Sequence, residues 1–191
     1  MYLYAVQKIK IVNNSTEGVS LMAGFISNVL ETVKVLGFPS EKYHEMAKDY
    51  ELTNPYHFVP MQLYNDLCAA VEQDLGVEVI ERVGHTIGER AYKTLLENNI
   101  VTKQSSPLEL IQGVIVAAET MIIDPKNRSF CILKSTPTSV VIQRTQTFNS
   151  RLQVGVFKGL VGKSDVENVS VTYLKQVSTG DKFDEYLICW G

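Results

Sequence analysis

Histidine is the residue type in this sequence best suited to bind haem or a metal ion, or to move a proton. His85 lies in the segment GHTIGERAY, where Gly84 and Gly88 would let another backbone or a flat ligand approach closely. On a predicted helix, His85 lies about 130° from the centre of the apolar stripe, beside Glu81 and Glu89. The simpler interpretation is therefore a solvated histidine, and the alternative is an axial haem ligand that faces a pocket.

His57 is the second candidate haem ligand, since it lies in the segment NPYHFVP beside Tyr56 and Phe58. Loops carry binding residues more often than helices do. An aromatic loop that closes over a helical core explains the same residues and is the simpler interpretation. His44 lies among the charged residues of a short polar helix and is predicted to be on the surface.

The three cysteines, Cys68, Cys131 and Cys189, show no C-x-x-C spacing and have no histidine close to them in the sequence. We therefore predict small apolar core residues rather than a metal site or a catalytic thiol. The segment GVFKGLVGKSD lacks the spacing of a P-loop, and the chain contains no G-x-S-x-G motif. Because no set of residues identifies a reaction, we predict no catalytic residues and a protein that is not an enzyme.

One charged residue near the C-terminus lies on a predicted apolar face. Arg144 is in phase with Val140 and Ile142 and shares their side of a strand. If that side packs on helices, the guanidinium needs a carboxylate or an anionic ligand, whereas a strand-end position would let it reach solvent. The carboxylates Asp184 and Glu185 lie beside a turn and are predicted to be solvated.

The composition is that of a globular protein, because 45% of the 191 residues are hydrophobic and 20% are charged. A net charge of −3 provides no broad positive surface for nucleic acid or acidic lipid. The sequence shows no signal-peptide pattern and no apolar run of about 18 residues. We therefore predict a soluble, cytoplasmic protein with neither a nucleic-acid partner nor a membrane partner.

Apolar residues spaced by three and four predict amphipathic helices in the first two-thirds of the chain. The fifth helix begins with a capping box formed by Ser106 and Glu109, with Pro107 at its first position. Its body is apolar on most sides, which predicts the buried centre of the fold. The predicted helices cover residues 18–36, 39–46, 61–75, 77–97 and 107–124.

After Pro125 the apolar residues alternate, which indicates strands. This order of elements predicts an α+β fold, with an N-terminal helical bundle packed against a C-terminal antiparallel sheet of ββαββ topology. We expect a single domain over 1–191 that has an N-terminal extension, a helical part and a sheet part. Their ranges are 1–17, 18–124 and 128–190, with a hairpin over 129–146, a helix over 154–162, strands over 168–176 and 184–190, and a short strand over 1–12.

Four segments combine apolar patterning with glycines: FVPMQLYNDLCAAVEQDLG, VIERVGHTIGERAYKTLL, SPLELIQG and VFKGLVG, the last leading into VSVTYLKQVSTGDKFDEYLICW. On these segments the chain resembles the ligand-binding superfamily that unites haem–nitric-oxide sensor domains, vinyl-reductase-type domains and Bet-three-like TRAPP trafficking subunits. The resemblance covers residues 18–190. It implies the α+β fold described above.

The resemblance leaves the cofactor open. The haem sensors carry an axial histidine after the helix matched by 77–97 and a Tyr-x-Ser-x-Arg motif that binds the haem propionates. Residues 98–124 contain no histidine, and this chain contains no such motif. Haem is therefore a disfavoured candidate cofactor, with His85 and His57 as its candidate ligands.

The resemblance implies a non-enzymatic sensory or ligand-binding domain with a pocket between the helices and the sheet. Such a domain would bind a small apolar molecule and change the surface offered to a signalling partner. The alternative is a homodimeric interaction module without a ligand, similar to the trafficking subunits, which would use Tyr92 and Leu96 on the fourth helix. The residues expected to line the pocket are Tyr64, Cys68, Val114, Ala118 and Phe130.

Overall fold

The computed structural model describes residues 14–144 and 148–191. Six α-helices form in these residues, and five of them precede the sheet part. The strand expected over 1–12 and residues 145–146 of the expected hairpin lie outside the described residues. The helices are α1 (Gly24–Val35), α2 (Glu41–Met46), α3 (Met61–Leu75), α4 (Val77–Glu97), α5 (Pro107–Met121) and α6 (Ser150–Val161).

The strands form two antiparallel sheets. The small sheet has the order β2-β1-β3 and the larger sheet has the order β4-β5-β7-β6. The predicted α+β class is therefore confirmed, with the helices first and the ββαββ sheet part at the C-terminus. The strands are β1 (Ser20–Met22), β2 (Phe58–Pro60), β3 (Ile122–Ile123), β4 (Cys131–Thr136), β5 (Ser139–Gln143), β6 (Ser170–Lys175) and β7 (Glu185–Cys189).

Helix α6 packs between α4 and the inner face of the larger sheet. Nine of its twelve residues are buried, and Phe157 meets the Tyr186 ring of β7 at a centroid distance of 5.5 Å. Val140, Ile142 and Ile188 on the same face of the sheet are fully buried. The core therefore lies where the helical part meets the sheet.

Glycines allow α4 and α6 to cross with their backbones in contact. A Cβ atom on Gly84 would lie 2.1 Å from the Leu152 carbonyl oxygen, and one on Gly155 would lie 2.0 Å from the Glu81 oxygen. Gly88 faces α6 in the same way. The sequence left two candidates for the neighbour of Gly84 and Gly88, another backbone or a flat molecule. In the structure the neighbour is the backbone of α6. This crossing fixes α4 against the sheet part.

Three short strands form where the sequence predicted the end of a helix or a loop. Residues 20–22 were expected within the first helix, 58–60 within a loop, and 122–123 within the fifth helix, but they pair with one another. Pairing between segments far apart in sequence decides their conformation, and helical periodicity does not reveal it. The predicted bounds are therefore wrong at these three places.

The prediction that the fifth helix is the buried centre is wrong. In α5 only Pro107, Leu110, Ile111 and Gly113 are buried, and the Val116 side chain is 54% exposed. The most buried helix is α6, whose glycines give it contact with α4 on one side while its apolar side chains face the sheet. The hydrophobic content of α5 and α6 alone did not show which of the two helices is the more buried.

In the parts of the chain that the structure describes, no helix combines the length and apolar character needed to cross a membrane.

Candidate functional site

Seven aromatic rings form a continuous line from α1 to β6, which we call the ring chain. Neighbouring rings meet edge to face, tilted or stacked, at distances typical of attractive aromatic contacts. The interior between the helices and the sheet is therefore filled with rings. The centroid distances are 6.0 Å for Phe25–Tyr64, 6.0 Å for Tyr64–Phe148, 5.8 Å for Phe148–Phe130, 6.1 Å for Phe130–Phe157, 5.5 Å for Phe157–Tyr186 and 5.2 Å for Tyr186–Tyr173.

Phe148 is the ring that separates this interior from the surface. It is 7% exposed and contacts the rings of Tyr64 and Phe130. The same residue borders an open cavity of about 540 Å³, which we call the mouth. Phe148 was not identified from the sequence, because the segment TQTFNS belongs to no periodic element. The other lining residues of the mouth are Asn14, Ser15, Thr16, Gln62, Asn65, Asp66, Ala69 and Asn149.

Two of the five residues expected to line a pocket, Tyr64 and Phe130, contact Phe148. Tyr64 and Cys68, one turn apart on α3, are buried. Phe130 stacks on Phe148. Val114 and Ala118 are half-buried on α5 and belong neither to the ring chain nor to the mouth. The five-residue pocket therefore stays a prediction.

The interior hydroxyl and thiol groups are neutral hydrogen-bonding groups. Burial raises the pKa of the Tyr64 phenol, the Tyr186 phenol and the Cys68 thiol well above their usual values. Ser150 Oγ joins the phenols at the other end of the ring chain, 3.1 Å from Tyr173 Oη and 3.3 Å from Tyr186 Oη. These groups can orient a polar atom of a ligand but do not supply a nucleophile or a general base near neutral pH.

A buried ion pair connects Phe148 with the turn between β6 and β7. Arg144 pairs with Asp184, and the two side chains are 5% and 1% exposed. The guanidinium also donates a hydrogen bond to the carbonyl oxygen of Phe148. Asp184 accepts a hydrogen bond of 2.8 Å from the backbone N–H of Val177, in the short 3₁₀ turn Val177–Thr179. Of the two interpretations of Arg144, the structure therefore contains the buried carboxylate partner, and the simpler one, a guanidinium that reaches solvent, is wrong.

The prediction that Asp184 and Glu185 are solvated is wrong. Both are buried, and Glu185 accepts hydrogen bonds of 2.9 Å from Gln143 Nε2 and 2.8 Å from Lys175 Nζ. The turn faces solvent, but its last two carboxylates point back to the sheet. Residues of β5 and β6 donate to Glu185, whereas Arg144 and the Val177 N–H donate to Asp184. A position beside a turn in the sequence does not show in which direction a side chain points.

The resemblance made haem a candidate cofactor. The described residues of this interior do not provide the ligands that haem needs. An axial ligand must reach the iron from the wall of its pocket. His44, His57 and His85 are all exposed. Tyr64 and Cys68 are buried, and burial raises the pKa of both groups.

Within the described ranges, no group of three or more His, Cys, Asp or Glu side chains could hold a metal ion. Cys68 is a buried core residue, as predicted, whereas Cys131 and Cys189 are half-buried on the larger sheet.

Solved structures show what this chain is similar to. An H-NOX protein from S. oneidensis in the Fe(II)NO ligation state matches with 14% identity and a TM-score of 0.63, over 88% of this chain and 98% of that protein. A mutant H-NOX protein from K. algicida, in the Fe(II) unliganded state, matches with 14% identity and a TM-score of 0.55, over 90% and 97%. No family model and no curated protein matches the chain.

A trafficking protein particle complex subunit 3 from Naegleria fowleri, covalently bound to palmitic acid, matches with 14% identity and a TM-score of 0.47, over 87% and 96%. That score is too low to support an argument. The H-NOX matches show that this chain has the H-NOX fold, so the expected resemblance is confirmed for the fold. Identities of 14% carry no residue roles from those proteins to this one.

Proposed function

We propose that this chain is a cytoplasmic, non-enzymatic sensory domain whose interior binds a small apolar molecule in place of the Phe148 ring. The observation that carries the proposal is the position of Phe148, which belongs to the ring chain and also borders the mouth. A ligand that enters through the mouth meets this side chain first. The H-NOX fold, shared with a protein solved in an Fe(II)NO ligation state, supports a sensory role.

The ligand replaces the contacts that Phe148 gives up. Burial of a phenyl ring stabilises a protein by about 2–3 kcal/mol, so displacing it is costly unless another apolar group fills the space. A flat molecule of similar size would stack on Phe130 and meet Tyr64 edge to face. The polar residues of the mouth would remain at the surface, beside any hydrophilic part of the ligand.

Displacement of Phe148 would change the surface through Arg144. The Arg144 guanidinium bonds both the Phe148 carbonyl oxygen and Asp184, which in turn holds the N–H of Val177. Movement of the chain at Phe148 breaks or redirects the first of these bonds. The exposed turn between β6 and β7 is then free to shift, and a partner protein would recognise the shifted turn.

The test compares Phe148→Ala with Phe25→Ala, using indole as the probe and calorimetry as the measurement. Phe148→Ala opens space beside the mouth, so we expect indole to bind about tenfold more tightly than to the unchanged protein. Phe25 is the first ring of the ring chain, separated from Phe148 by Tyr64, and does not border the mouth, so its variant should not gain affinity. Equal binding by all three proteins, or none, would contradict the proposal.

Haemin is a second probe in the same experiment. Because the described interior does not fit haem, we expect no sharp Soret band after haemin is added. A band that disappears in His85→Ala or His57→Ala would contradict this expectation and support these residues as haem ligands.

The second candidate function is an interaction module that binds no ligand. The ring chain favours it, because the interior is already filled with side chains. Native mass spectrometry of the purified protein separates the two functions: a co-purified organic mass supports the sensory domain, and a ligand-free dimer supports the module. In the second case Tyr92→Glu on α4, where Tyr92 and Leu96 are half-buried, should dissociate the dimer.

A further inference from the structure

Two parts of the described chain border the mouth beside Phe148 and Asn149. One is the segment 14–16, which precedes β1 and which we call the strap. The other is one face of α3, because residues three, four and seven positions apart on a helix lie on the same side. A molecule that reaches Phe148 through the mouth therefore passes between the strap and α3. The α3 residues that line the mouth are Gln62, Asn65, Asp66 and Ala69.

A hydrogen bond joins the strap to α3 at this place. Thr16 Oγ1 donates to Gln62 Oε1 at 2.5 Å, and Gln62 Nε2 donates to Asp66 Oδ1 at 2.7 Å. An ionised carboxylate only accepts hydrogen bonds, so Asp66 turns the nitrogen of the Gln62 amide towards itself and leaves the amide oxygen facing Thr16. All three residues line the mouth. The bond between Thr16 and Gln62 is thus held in one orientation across the path to Phe148.

The backbone of the strap is anchored independently of this bond. The Ser15 carbonyl oxygen accepts a hydrogen bond of 2.7 Å from Arg128 Nη2, and Arg128 is fixed by its buried ion pair with Asp124. The Thr16 carbonyl oxygen accepts a hydrogen bond of 3.0 Å from the Val19 N–H, just before β1. Rotation of side chains, rather than movement of the strap, is therefore the easier way to open the path.

The side chains that form the bond are free to rotate. Gln62 and Asp66 are exposed, and Thr16 is half-buried. A single hydrogen bond between neutral groups that water can also reach favours the bonded arrangement by roughly fivefold. Exposed side chains change rotamer within nanoseconds. The bond between Thr16 and Gln62 is therefore closed most of the time and opens often.

We propose that the hydrogen bond between Thr16 and Gln62 is a gate, which slows the entry and the release of the ligand alike. This inference rests on the proposed function, since it requires a ligand that passes through the mouth to the position of Phe148. The gate closes over the free and the occupied interior in the same way. It therefore changes both rate constants by one factor and leaves the affinity as it is.

The test measures the exchange of fluoroindole by fluorine NMR in the Phe148→Ala protein, for which the proposed function expects indole binding. Thr16→Val, added to this protein, replaces the hydroxyl by a methyl group of similar size and removes the donor. We expect the association and dissociation rate constants each to rise about fivefold, with the same dissociation constant. Thr16→Ser keeps a donor and should restore slow exchange.

Two further variants control for the position and the kind of change. Asp66→Ala releases the Gln62 amide from its fixed orientation, so it should raise both rate constants, and it keeps the test valid if Thr16→Val does not fold. Thr53 Oγ1 donates to Glu51 at an exposed site that does not border the mouth. Thr53→Val therefore removes the same kind of bond elsewhere and should leave both rate constants unchanged.

The outcomes distinguish the gate from the proposed function. If the Phe148→Ala protein binds fluoroindole but Thr16→Val exchanges it no faster, the gate is overturned while the proposed function stands. Faster dissociation with unchanged association would also overturn the gate, because Thr16 would then contact the bound ligand. If the Phe148→Ala protein binds no fluoroindole, both the gate and the proposed function are overturned.

Discussion

Arg144 and Asp184 form the contact on which the arrangement of the candidate site depends. Their side chains come from the end of β5 and the start of β7, and both are almost completely buried. The sequence placed Arg144 on the face of Val140 and Ile142 and left two interpretations open. A guanidinium packed on helices would need a carboxylate or an anionic ligand, whereas one at the strand end would reach solvent. The sequence did not indicate Asp184, since forty positions separate the two residues and only the pairing of β5 with β7 brings them together.

We expect Arg144→Met to lower the free energy of unfolding by about 3–5 kcal/mol, because it leaves the Asp184 carboxylate buried without a cation. Denaturant unfolding monitored by circular dichroism measures this. The control is Lys48→Met, which breaks an exposed ion pair with Glu45 and should cost at most about 1 kcal/mol. The double variant Arg144→Met with Asp184→Leu should recover most of the loss, and a loss as large as in the single variant would contradict this account.

The helices illustrate which elements a sequence can predict. The long helices α3 and α4 lie where the spacing of apolar residues places them, because each buries one face along most of its length. The strands β1, β2 and β3 have two or three residues each, too few to show a period. Helix α5 is the most instructive error, since its apolar residues indicated a fully buried helix, whereas several of them are only half-buried and Val116 is 54% exposed.

The crossing of α4 and α6 predicts a strong effect of one methyl group. In Gly155→Ala the new Cβ would lie 2.0 Å from the Glu81 oxygen and 2.7 Å from the His85 nitrogen, both backbone atoms that cannot rotate away. We expect a loss of about 3 kcal/mol or more in unfolding free energy, or no folded protein.

Gly113→Ala on α5 is the matched control, because its nearest neighbours are methyl groups of side chains at 3.0 Å and more. These can adjust, so we expect a change within about 1 kcal/mol. Thermal unfolding of both variants compares them directly. Similar destabilisation at the two positions would show that the backbone contact is not the cause.

At the scale of the whole molecule, a second buried ion pair joins the segment after β3 of the small sheet to Ser15, near the start of the described residues. Asp124 and Arg128 are each 3% exposed, and Arg128 also donates a hydrogen bond of 2.7 Å to the Ser15 carbonyl oxygen. Burial acts to raise the pKa of Asp124, but the hydrogen bonds from Arg128 and the Lys126 N–H outweigh it and lower the pKa. The unfolded chain therefore takes up this proton at a higher pH than the folded protein does.

It follows that Asp124 stabilises the fold fully above the usual carboxyl range and loses this contribution as the pH falls through its folded pKa. We expect Asp124→Asn to cost about 3 kcal/mol at neutral pH and to flatten the acid side of the stability profile. Denaturant unfolding between about pH 3 and about pH 7 measures both effects. Asp49→Asn, an exposed change, should leave the profile unaltered, and an unchanged acid slope in Asp124→Asn would contradict the assignment.

The glycine crossing of α4 and α6 also governs when the protein can complete its folding during synthesis. Helix α4 leaves the ribosome well before α6, and until α6 follows, the groove formed by Gly84 and Gly88 has no backbone to fill it. Contacts between segments far apart in the chain form late, because a long loop must first close. The nascent helical part therefore exposes this groove until most of the chain has been made.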